Sequence, residues 1–338
     1  MNNYIVRDES SIYYEANYSS DNSLFLKLGS ESFLLTDSRY EIEAKESVES
    51  GVSVLITKNL YKLANSIIKN SKVKKIIYDP KEWTILSFRE LSDNLNIKFK
   101  ERVDFSHKKR IIKKQYELEL LSTSAKLGAE AFNRLAKSIK FKKDEYSLTY
   151  RAKEALSKKG RYELSFEPIV AINENSAKPH AMPTSKKLRK GDLLLVDAGL
   201  KYKRYCSDRT RTIFAKDNFS FSINQKFNSK KIQKIYDTVL KAHDVAIAKA
   251  RSGMKAKKID SFARDIISKA GFGDYFVHST GHGVGLDIHE MPYINSKSDT
   301  IIEDGMVYTI EPGIYIPNEF GVRIEDMVAM VNGRATVL

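Results

Sequence analysis

The chain has 338 residues, of which 42% are hydrophobic and 10% aromatic. This is enough for about two domains with a sizeable core, and it excludes a wholly disordered chain. Lys and Arg number 57 against 43 Asp and Glu, which gives a net charge of +14. The lysines are scattered among acidic residues, and no RNA-binding motif accompanies them. Nucleic acid is therefore not an expected partner.

Cysteine content and hydropathy further narrow the class of protein. The single cysteine, Cys206, excludes an internal disulfide framework and a zinc site built from cysteines. No apolar run approaches the ~18 residues of a membrane span, and the first residues lack the apolar stretch of a secretory signal. These features predict a soluble, cytoplasmic protein without a membrane partner.

Residues 1–105 alternate strand-like and helix-like patterns, which predicts a small α/β domain. Gly29-Ser30 is predicted to turn between the first two strands, and Asn59 to cap the second helix. Because the segment has no phosphate-binding glycine loop, we interpret it as a supporting or specificity domain. The predicted strands are 24–28, 32–36, 52–57, 75–79 and 97–99, and the predicted helices are 39–47 and 60–70.

A polar, charged stretch over 100–109 predicts a linker to a second domain, residues 110–338. From Phe166 onwards this domain combines strands and glycine turns with Asp, His and Glu residues in unusual positions. The polar segment 218–228 has no pattern that predicts a structure. The predicted helices of the second domain are 114–138, 145–158, 231–250 and 259–270.

One hairpin of the second domain carries a pair of aspartates. Four apolar residues, 193–196, run into Asp197, and a return strand carries Asp208. If the turn centres on Tyr202 and Lys203, the two aspartates lie opposite one another with Cβ atoms ~5 Å apart. Carboxylates this close repel one another unless a cation or a shared proton joins them. The alternative is a solvated turn with incidental acids, which the four preceding apolar residues disfavour.

A second hairpin repeats this pattern near the end of the chain. One strand ends in Glu311, and a turn centred on Asn318 sets Glu325 opposite on the returning strand. Four buried carboxylates without a counter-charge would be very unstable. A pair of divalent metal ions resolves the repulsion, since two-metal sites use carboxylates to bridge ions ~3.5–4 Å apart.

Three of the six histidines, His278, His282 and His289, lie in one glycine-rich segment. The glycines disfavour a helix and allow a loop to fold closely against a metal or substrate. His180 lies in a loop after a strand predicted at 168–172. Histidines clustered in the sequence beside such carboxylates indicate a catalytic site.

The remaining candidate residues receive ordinary interpretations. His107 and His243 lack the context of the glycine-rich segment and are interpreted as surface or packing residues. Cys206 would share a strand face with Asp208, but a thiolate is disfavoured in an oxygen-rich site.

Five residues and their neighbours resemble the signature of the pita-bread metallopeptidases, the family of methionine aminopeptidase, aminopeptidase P, prolidase and the metal-free creatinase. The resemblance covers 110–338 and rests on the segments 197–199, 207–212, 278–290, 311–313 and 323–326. Arg209 departs from the apolar residue expected before Thr210. Residues 35–40 resemble a turn in the amino-terminal domain that Xaa-Pro peptidases carry and methionine aminopeptidases generally lack. The five residues are Asp197, Asp208, His282, Glu311 and Glu325.

The resemblance implies an α/β amino-terminal domain followed by an α+β pita-bread catalytic domain with internal pseudo-twofold symmetry. It implies that the five residues hold two divalent metal ions, bridged by Asp208 and Glu325, which activate a water molecule as the nucleophile. Mn²⁺ is the preferred ion, and Co²⁺, Zn²⁺ and Fe²⁺ are alternatives.

Further roles follow from the same resemblance. Glu311 would manage the proton of the water, His289 would donate a hydrogen bond to the oxyanion, and His180 would orient the scissile carbonyl. His278 matches a substrate-contacting or proton-relaying histidine. Arg323 would contact the C-terminal side of the substrate or organise the site.

The implied activity is that of an Xaa-Pro aminopeptidase, which releases the residue before a proline at the second position of a peptide. Two alternatives remain: an Xaa-Pro dipeptidase (prolidase) that uses the same ligands, and a metal-free binding protein on the same fold. The expected partners are small peptides and a second copy of the chain. In that homodimer, the amino-terminal domain would help to shape the neighbouring site.

Overall fold

The computed structural model describes residues 3–338, and the chain divides between Arg110 and Ile111 into two compact units. The first unit has α/β architecture, as the sequence predicts. The glycine turn has Gly29 at φ 62°, and the Asn59 side chain accepts a hydrogen bond from the Lys62 N–H at 3.0 Å. Its elements are β1 Tyr4–Val6, α1 Glu9–Ala16, β2 Ser23–Leu28, β3 Glu31–Thr36, α2 Glu41–Ser47, β4 Val52–Ile56, α3 Leu60–Asn70, β5 Lys75–Tyr78, α4 Ile85–Ser92, β6 Lys98–Glu101 and α5 Phe105–Arg110.

These strands form one mixed sheet in the order β4-β3-β2-β1-β5-β6. Strands β1, β2 and β3 pair antiparallel, whereas β4, β5 and β6 join the sheet in parallel. The sequence patterns missed β1, α1 and α4, which have three, eight and eight residues.

The predicted linker at 100–109 is wrong. β6 occupies its start and α5 its end, and Phe105 is buried in the core of the first unit with its ring 5.2 Å from that of Tyr4. The charged residues around Phe105 hid this anchor, because a single buried aromatic in a lysine-rich segment produces no amphipathic pattern.

The second unit begins with two helices and continues with strands in several small sheets. The two main sheets have the orders β12-β9-β8 and β14-β13-β15-β18-β19. Its elements are α6 Gln115–Ser138, α7 Glu145–Ser157, β7 Glu163–Leu164, β8 Ile169–Ile172, β9 Leu193–Asp197, β10 Leu200–Tyr202, β11 Tyr205–Cys206, β12 Thr210–Phe214, α8 Lys230–Lys249, α9 Ala256–Lys269, β13 Gly281–Gly283, β14 Glu290–Ile294, β15 Val307–Ile310, β16 Gly313–Ile316, β17 Phe320–Arg323, β18 Asp326–Val331 and β19 Arg334–Val337.

Strand β9 explains why an apolar run precedes Asp197. Leu193 and Leu195 pack into a core with α8 and α9, while Leu194 and Val196 pack into a second core with α6 and α7. A strand covered on both faces needs apolar residues at every position rather than at alternate ones. The run therefore delivers the Asp197 carboxylate to the end of a strand that is buried on both sides.

Within residues 3–338, no helix combines the length and the apolar content that crossing a membrane requires.

Candidate metal centre

The register of the first hairpin differs from the predicted one. Asp197 pairs with Thr210 rather than with Asp208, because the turn centres on Lys203 and Arg204. Both of these residues have positive φ, 46° and 71°, as two-residue hairpin turns of type I′ require. The register therefore moves by two residues. A shift of two preserves the face of the strand on which each side chain lies, so both aspartates still reach the same cavity.

The second hairpin has the predicted register. Ile310 pairs with Asp326 and Gly313 with Arg323, and these two pairs bracket the position at which Glu311 faces Glu325. Asn318 lies in the turn with φ 61°. Thr210, at the start of β12, donates its hydroxyl to Glu325 Oε2 at 2.6 Å, so the two hairpins meet at their carboxylates.

His282 lies on β13, and the glycines around it pack against neighbouring strands. A Cβ on Gly281 would lie 1.9 Å from the carbonyl oxygen of Thr309, and a Cβ on Gly283 would lie 2.2 Å from that of Met291. The predicted close approach is thus present, but it brings backbone against backbone rather than a loop against a ligand. The prediction of a loop here is accordingly wrong at β13.

The protonation of His282 follows from its contacts. Nδ1 lies 3.0 Å from the carbonyl oxygen of Gly283, which can only accept, so Nδ1 carries the proton. Burial lowers the pKa of the imidazole, which keeps it neutral. The unprotonated Nε2 lies 3.5 Å from Asp208 Oδ2 and 3.4 Å from Glu311 Oε1. The imidazole therefore directs a lone pair toward two carboxylate oxygens.

The electrostatics of this cluster fit a bound cation. One ligand atom from each of Asp208, His282 and Glu325 lies within 4.8 Å of the others. Burial, reinforced by the neighbouring carboxylates, raises the pKa of Asp208 and of Glu325 well above the usual range, and burial raises the pKa of Glu311 to about 7. Within the described residues, Oδ1 of Asp197 and Oδ1 of Asp208 are buried and accept no hydrogen bond.

Among the residues that the structure describes, a single side-chain cation contacts these carboxylates directly. Arg323 Nη2 donates to Asp197 Oδ2 at 2.6 Å, and the Arg323 side chain is almost fully buried. One guanidinium cannot compensate three buried carboxylates and the partly buried Glu311, since each unpaired buried charge is strongly disfavoured. Four carboxylates and one imidazole form a donor set that suits divalent metal ions, so the residues present fit a metal centre.

The cluster lies at the base of a cleft of about 560 Å³. The sequence had no signal for the apolar walls of this cleft, which include Phe166, Pro168, Met182, Ile288 and Tyr293, because tertiary folding alone brings these residues together. All nine site residues named from the sequence line it: His180, Asp197, Asp208, His278, His282, His289, Glu311, Arg323 and Glu325.

Tyr315, which the sequence reasoning missed, links two of these residues. Its hydroxyl accepts a hydrogen bond from Arg323 Nη1 and bonds His278 Nε2, both at 2.8 Å. His278 Nδ1 donates to the carbonyl oxygen of Ser279, and burial with the nearby Arg323 lowers the pKa of His278 to about 3. His278 is therefore neutral. Its Nε2 accepts a hydrogen bond from the Tyr315 hydroxyl, so both ring nitrogens are hydrogen-bonded. Gly313 leaves the space that the Tyr315 hydroxyl fills, which only the folded strand reveals.

His180 and His289, unlike the largely buried His278, are exposed on the cleft wall. The His289 ring contacts that of His282 edge-on, with centroids 4.4 Å apart. Burial and the adjacent His282 lower the pKa of His289, which favours the neutral ring. A neutral imidazole in this location can donate one hydrogen bond to a group in the cleft.

A family model matches residues 119–332 and describes metallopeptidase family M24. The chain belongs to this family. The Xaa-Pro dipeptidase of Pyrococcus furiosus is 37% identical over 270 residues, which are 80% of this chain and 74% of that protein. A solved Xaa-Pro dipeptidase from Bacillus anthracis superposes with a TM-score of 0.90 at 31% identity, covering 99% of this chain and 92% of that one. A solved X-Pro aminopeptidase from Thermotoga maritima has a TM-score of 0.89 at 27% identity, covering 100% and 95%.

These similarities confirm the predicted fold, an α/β amino-terminal domain followed by a pita-bread domain. They also confirm that the chain belongs to a family of hydrolases, the M24 metallopeptidases.

Behind the cleft, a buried charge cluster holds the Glu325 backbone of this M24 peptidase. Arg211 donates Nη1 to the Glu325 carbonyl at 2.6 Å and Nη2 to Asp326 at 2.7 Å. His243 is buried beside it, with Nε2 3.3 Å from Asp326 and Nδ1 2.9 Å from Asp244. His243 is thus a packing residue, as the sequence indicates, but one that supports a carboxylate strand.

Cys206 lies outside the cleft lining. Its thiol is buried and contacts the Leu286 carbonyl at 3.6 Å, and burial raises its pKa to about 12. A thiol with this pKa remains protonated, which agrees with its exclusion as a ligand.

Proposed function

We propose that this M24 peptidase is an Xaa-Pro dipeptidase, which splits a dipeptide whose second residue is proline. The observation that carries the proposal is the cluster of three buried carboxylates, the partly buried Glu311 and His282 in one cleft. The similarity to the dipeptidases of P. furiosus and B. anthracis supports the dipeptide as substrate. The sequence alone favoured an Xaa-Pro aminopeptidase, which the similarity to the T. maritima enzyme retains as the second candidate.

The residues that would hold two divalent metal ions are Asp197, Asp208, His282, Glu311 and Glu325. Support comes from the unprotonated Nε2 of His282, the orphaned carboxylate oxygens and the excess of buried negative charge. Such ions, when bound, act as Lewis acids that acidify water and stabilise negative charge.

The protein supplies the proton transfers and the orientation of the substrate. Glu311 would accept the proton of the attacking water at a carboxylate oxygen and return it to the leaving amine. His289 would donate its N–H to the oxyanion, and His180 would orient the scissile carbonyl. Arg323 would hold Asp197 in position through its 2.6 Å bond, which favours the organising role among the two that the sequence left open.

Peptide length distinguishes the two candidate activities. Purified protein with added Mn²⁺ is incubated with an Xaa-Pro dipeptide and with the corresponding Xaa-Pro-Xaa tripeptide, and the products are separated by chromatography. We expect cleavage of the dipeptide and not of the tripeptide. Cleavage of both would establish the aminopeptidase instead, and cleavage of neither by metal-loaded protein would contradict both activities.

Metal content tests the remaining alternative, a metal-free binding protein. We expect two equivalents of divalent metal per chain by plasma mass spectrometry after metal-replete purification. Substoichiometric metal together with absent hydrolysis would favour the binding protein. We further propose a homodimeric active unit, for which light scattering during size exclusion should give twice the chain mass.

A further inference from the structure

A buried ion pair outside the cleft joins two distant parts of the second unit. Lys113 Nζ lies 2.5 Å from Glu290 Oε1, and the side chains are 1% and 2% exposed. Neither residue lines the cleft. A buried ion pair contributes little net stability compared with apolar side chains of the same size, because both charges must be desolvated. Its distinctive property is its geometry, because it holds two backbone segments at a fixed separation.

Lys113 contacts both segments that lead to candidate catalytic groups. Its backbone N–H donates to the Gly305 carbonyl at 2.8 Å, at the turn before β15, the strand that leads to Glu311. Its side chain reaches Glu290, the residue directly after His289. The Glu290 carboxylate fits closely there, because a Cβ on Gly285 would lie 2.3 Å from Glu290 Oε1.

The location of Glu290 bears on the orientation of His289. His289 lines the cleft and is exposed, whereas the adjacent Glu290, the first residue of β14, is buried outside the cleft lining. Within residues 3–338, the His289 ring has an edge contact with His282 but no hydrogen bond. The direction of the imidazole therefore depends on the backbone at 289–290, which the ion pair anchors.

We propose that Lys113, acting through Glu290, is a positioning residue that sets the reach of His289 into the cleft. The inference rests on the proposed function, in which His289 donates to the oxyanion. Displacing a catalytic group by ~1 Å can cost ~10²-fold in rate. The effect is expected in kcat, because the interaction of His289 with the oxyanion exists only in the transition state.

The test is a double-mutant cycle that uses the Lys113→Met and Glu290→Gln substitutions together, so that no unpaired buried charge is left. We expect kcat to fall ~10²-fold with KM within about twofold, at unchanged metal content. In a His289→Ala background the same pair of substitutions should cause no further loss. An equal loss in both backgrounds, or an unchanged kcat, would overturn the proposal.

Two control variants separate positioning from general destabilisation. Lys231→Met removes an exposed ion pair with Glu319, and Ile259→Val trims the core between α8 and α9. Both should retain the wild-type kcat. A loss of kcat in Ile259→Val equal to that of the double variant would assign the effect to stability and overturn the proposal.

A spectroscopic measurement reads His289 without using activity. Histidine-labelled protein loaded with diamagnetic Zn²⁺ is compared by NMR with the Lys113→Met, Glu290→Gln double variant, which leaves no unpaired buried charge. The His289 imidazole signals should shift or broaden, while those of His107 and His243 should not. Unchanged His289 signals would overturn the proposal. A wild-type protein that cleaves no Xaa-Pro peptide would contradict the proposed function instead, and the NMR comparison would still decide the positioning role.

Discussion

Gly281→Ala tests whether the close contact between β13 and β15 sets the spacing of the candidate ligands. The added Cβ would lie 1.9 Å from the Thr309 carbonyl oxygen, and real Cβ contacts are essentially never under 3.0 Å, so the strands must separate by at least about 1.1 Å. β13 carries His282 and β15 leads to Glu311, whose Nε2 and Oε1 atoms are 3.4 Å apart. The substitution therefore moves the imidazole relative to the carboxylate by about a third of their separation.

The expected result has two parts. Overpacking should lower the free energy of unfolding by ~1–3 kcal/mol, and the displacement should lower kcat by ~10²-fold together with metal affinity. Urea unfolding, Mn²⁺ titration calorimetry and dipeptide hydrolysis measure the three quantities on one preparation.

Gly51→Ala is the matched control in the first unit. Gly51 has φ +88° with open space around it, so alanine costs ~1–2 kcal/mol of backbone strain and no steric clash. This variant should lose stability but keep wild-type kcat and metal affinity. If Gly281→Ala kept the wild-type metal affinity and kcat, the reasoning that strand contact sets the ligand spacing would be refuted.

Three further predictions concern single side chains. Asp208→Ala or Glu325→Ala should abolish dipeptide hydrolysis and release at least one metal ion, as measured by mass spectrometry; full activity under limiting metal would contradict the five-residue ligand set. His289→Ala should lower kcat by ~10²–10³-fold with metal content preserved, and loss of metal would make His289 a ligand instead. Burial lowers the pKa of His243, but the adjacent carboxylates of Asp244 and Asp326 outweigh this and raise the pKa overall. The stabilisation is therefore complete below the unfolded-state pKa of ~6.5 and is lost as pH rises through the folded-state pKa. Between pH 6 and pH 9, the Tm of the wild type should fall relative to that of His243→Gln, and parallel Tm profiles would contradict this.

The two hairpin turns show which features of the site a sequence can specify. Asn318 tolerates positive φ, so its position indicated the turn and with it the Glu311–Glu325 register. The first turn instead has Lys203 and Arg204 at positive φ, and neither residue favours that conformation. Nothing in the local sequence separated this turn from one a residue earlier, so the predicted register was wrong by two.

Contacts between residues that are distant in the sequence could not be predicted. The four apolar residues before Asp197 indicated that β9 is buried on both faces. This was sufficient to identify Asp197 as a carboxylate at the end of a buried strand. Tyr315 bonds His278, and Arg211 bonds the Glu325 carbonyl, each more than 30 positions away in the sequence. A single sequence carries no signal for such partners, because they are defined only once the sheets have packed.

The central claim is that the buried carboxylates and His282 form a two-metal centre. The most direct measurement is anomalous diffraction from crystals of Mn²⁺-loaded protein, with data collected on both sides of the manganese absorption edge. We expect two anomalous peaks per chain, both among the side chains of Asp197, Asp208, His282, Glu311 and Glu325. Peaks located elsewhere, or none in crystals soaked with excess Mn²⁺, would contradict it.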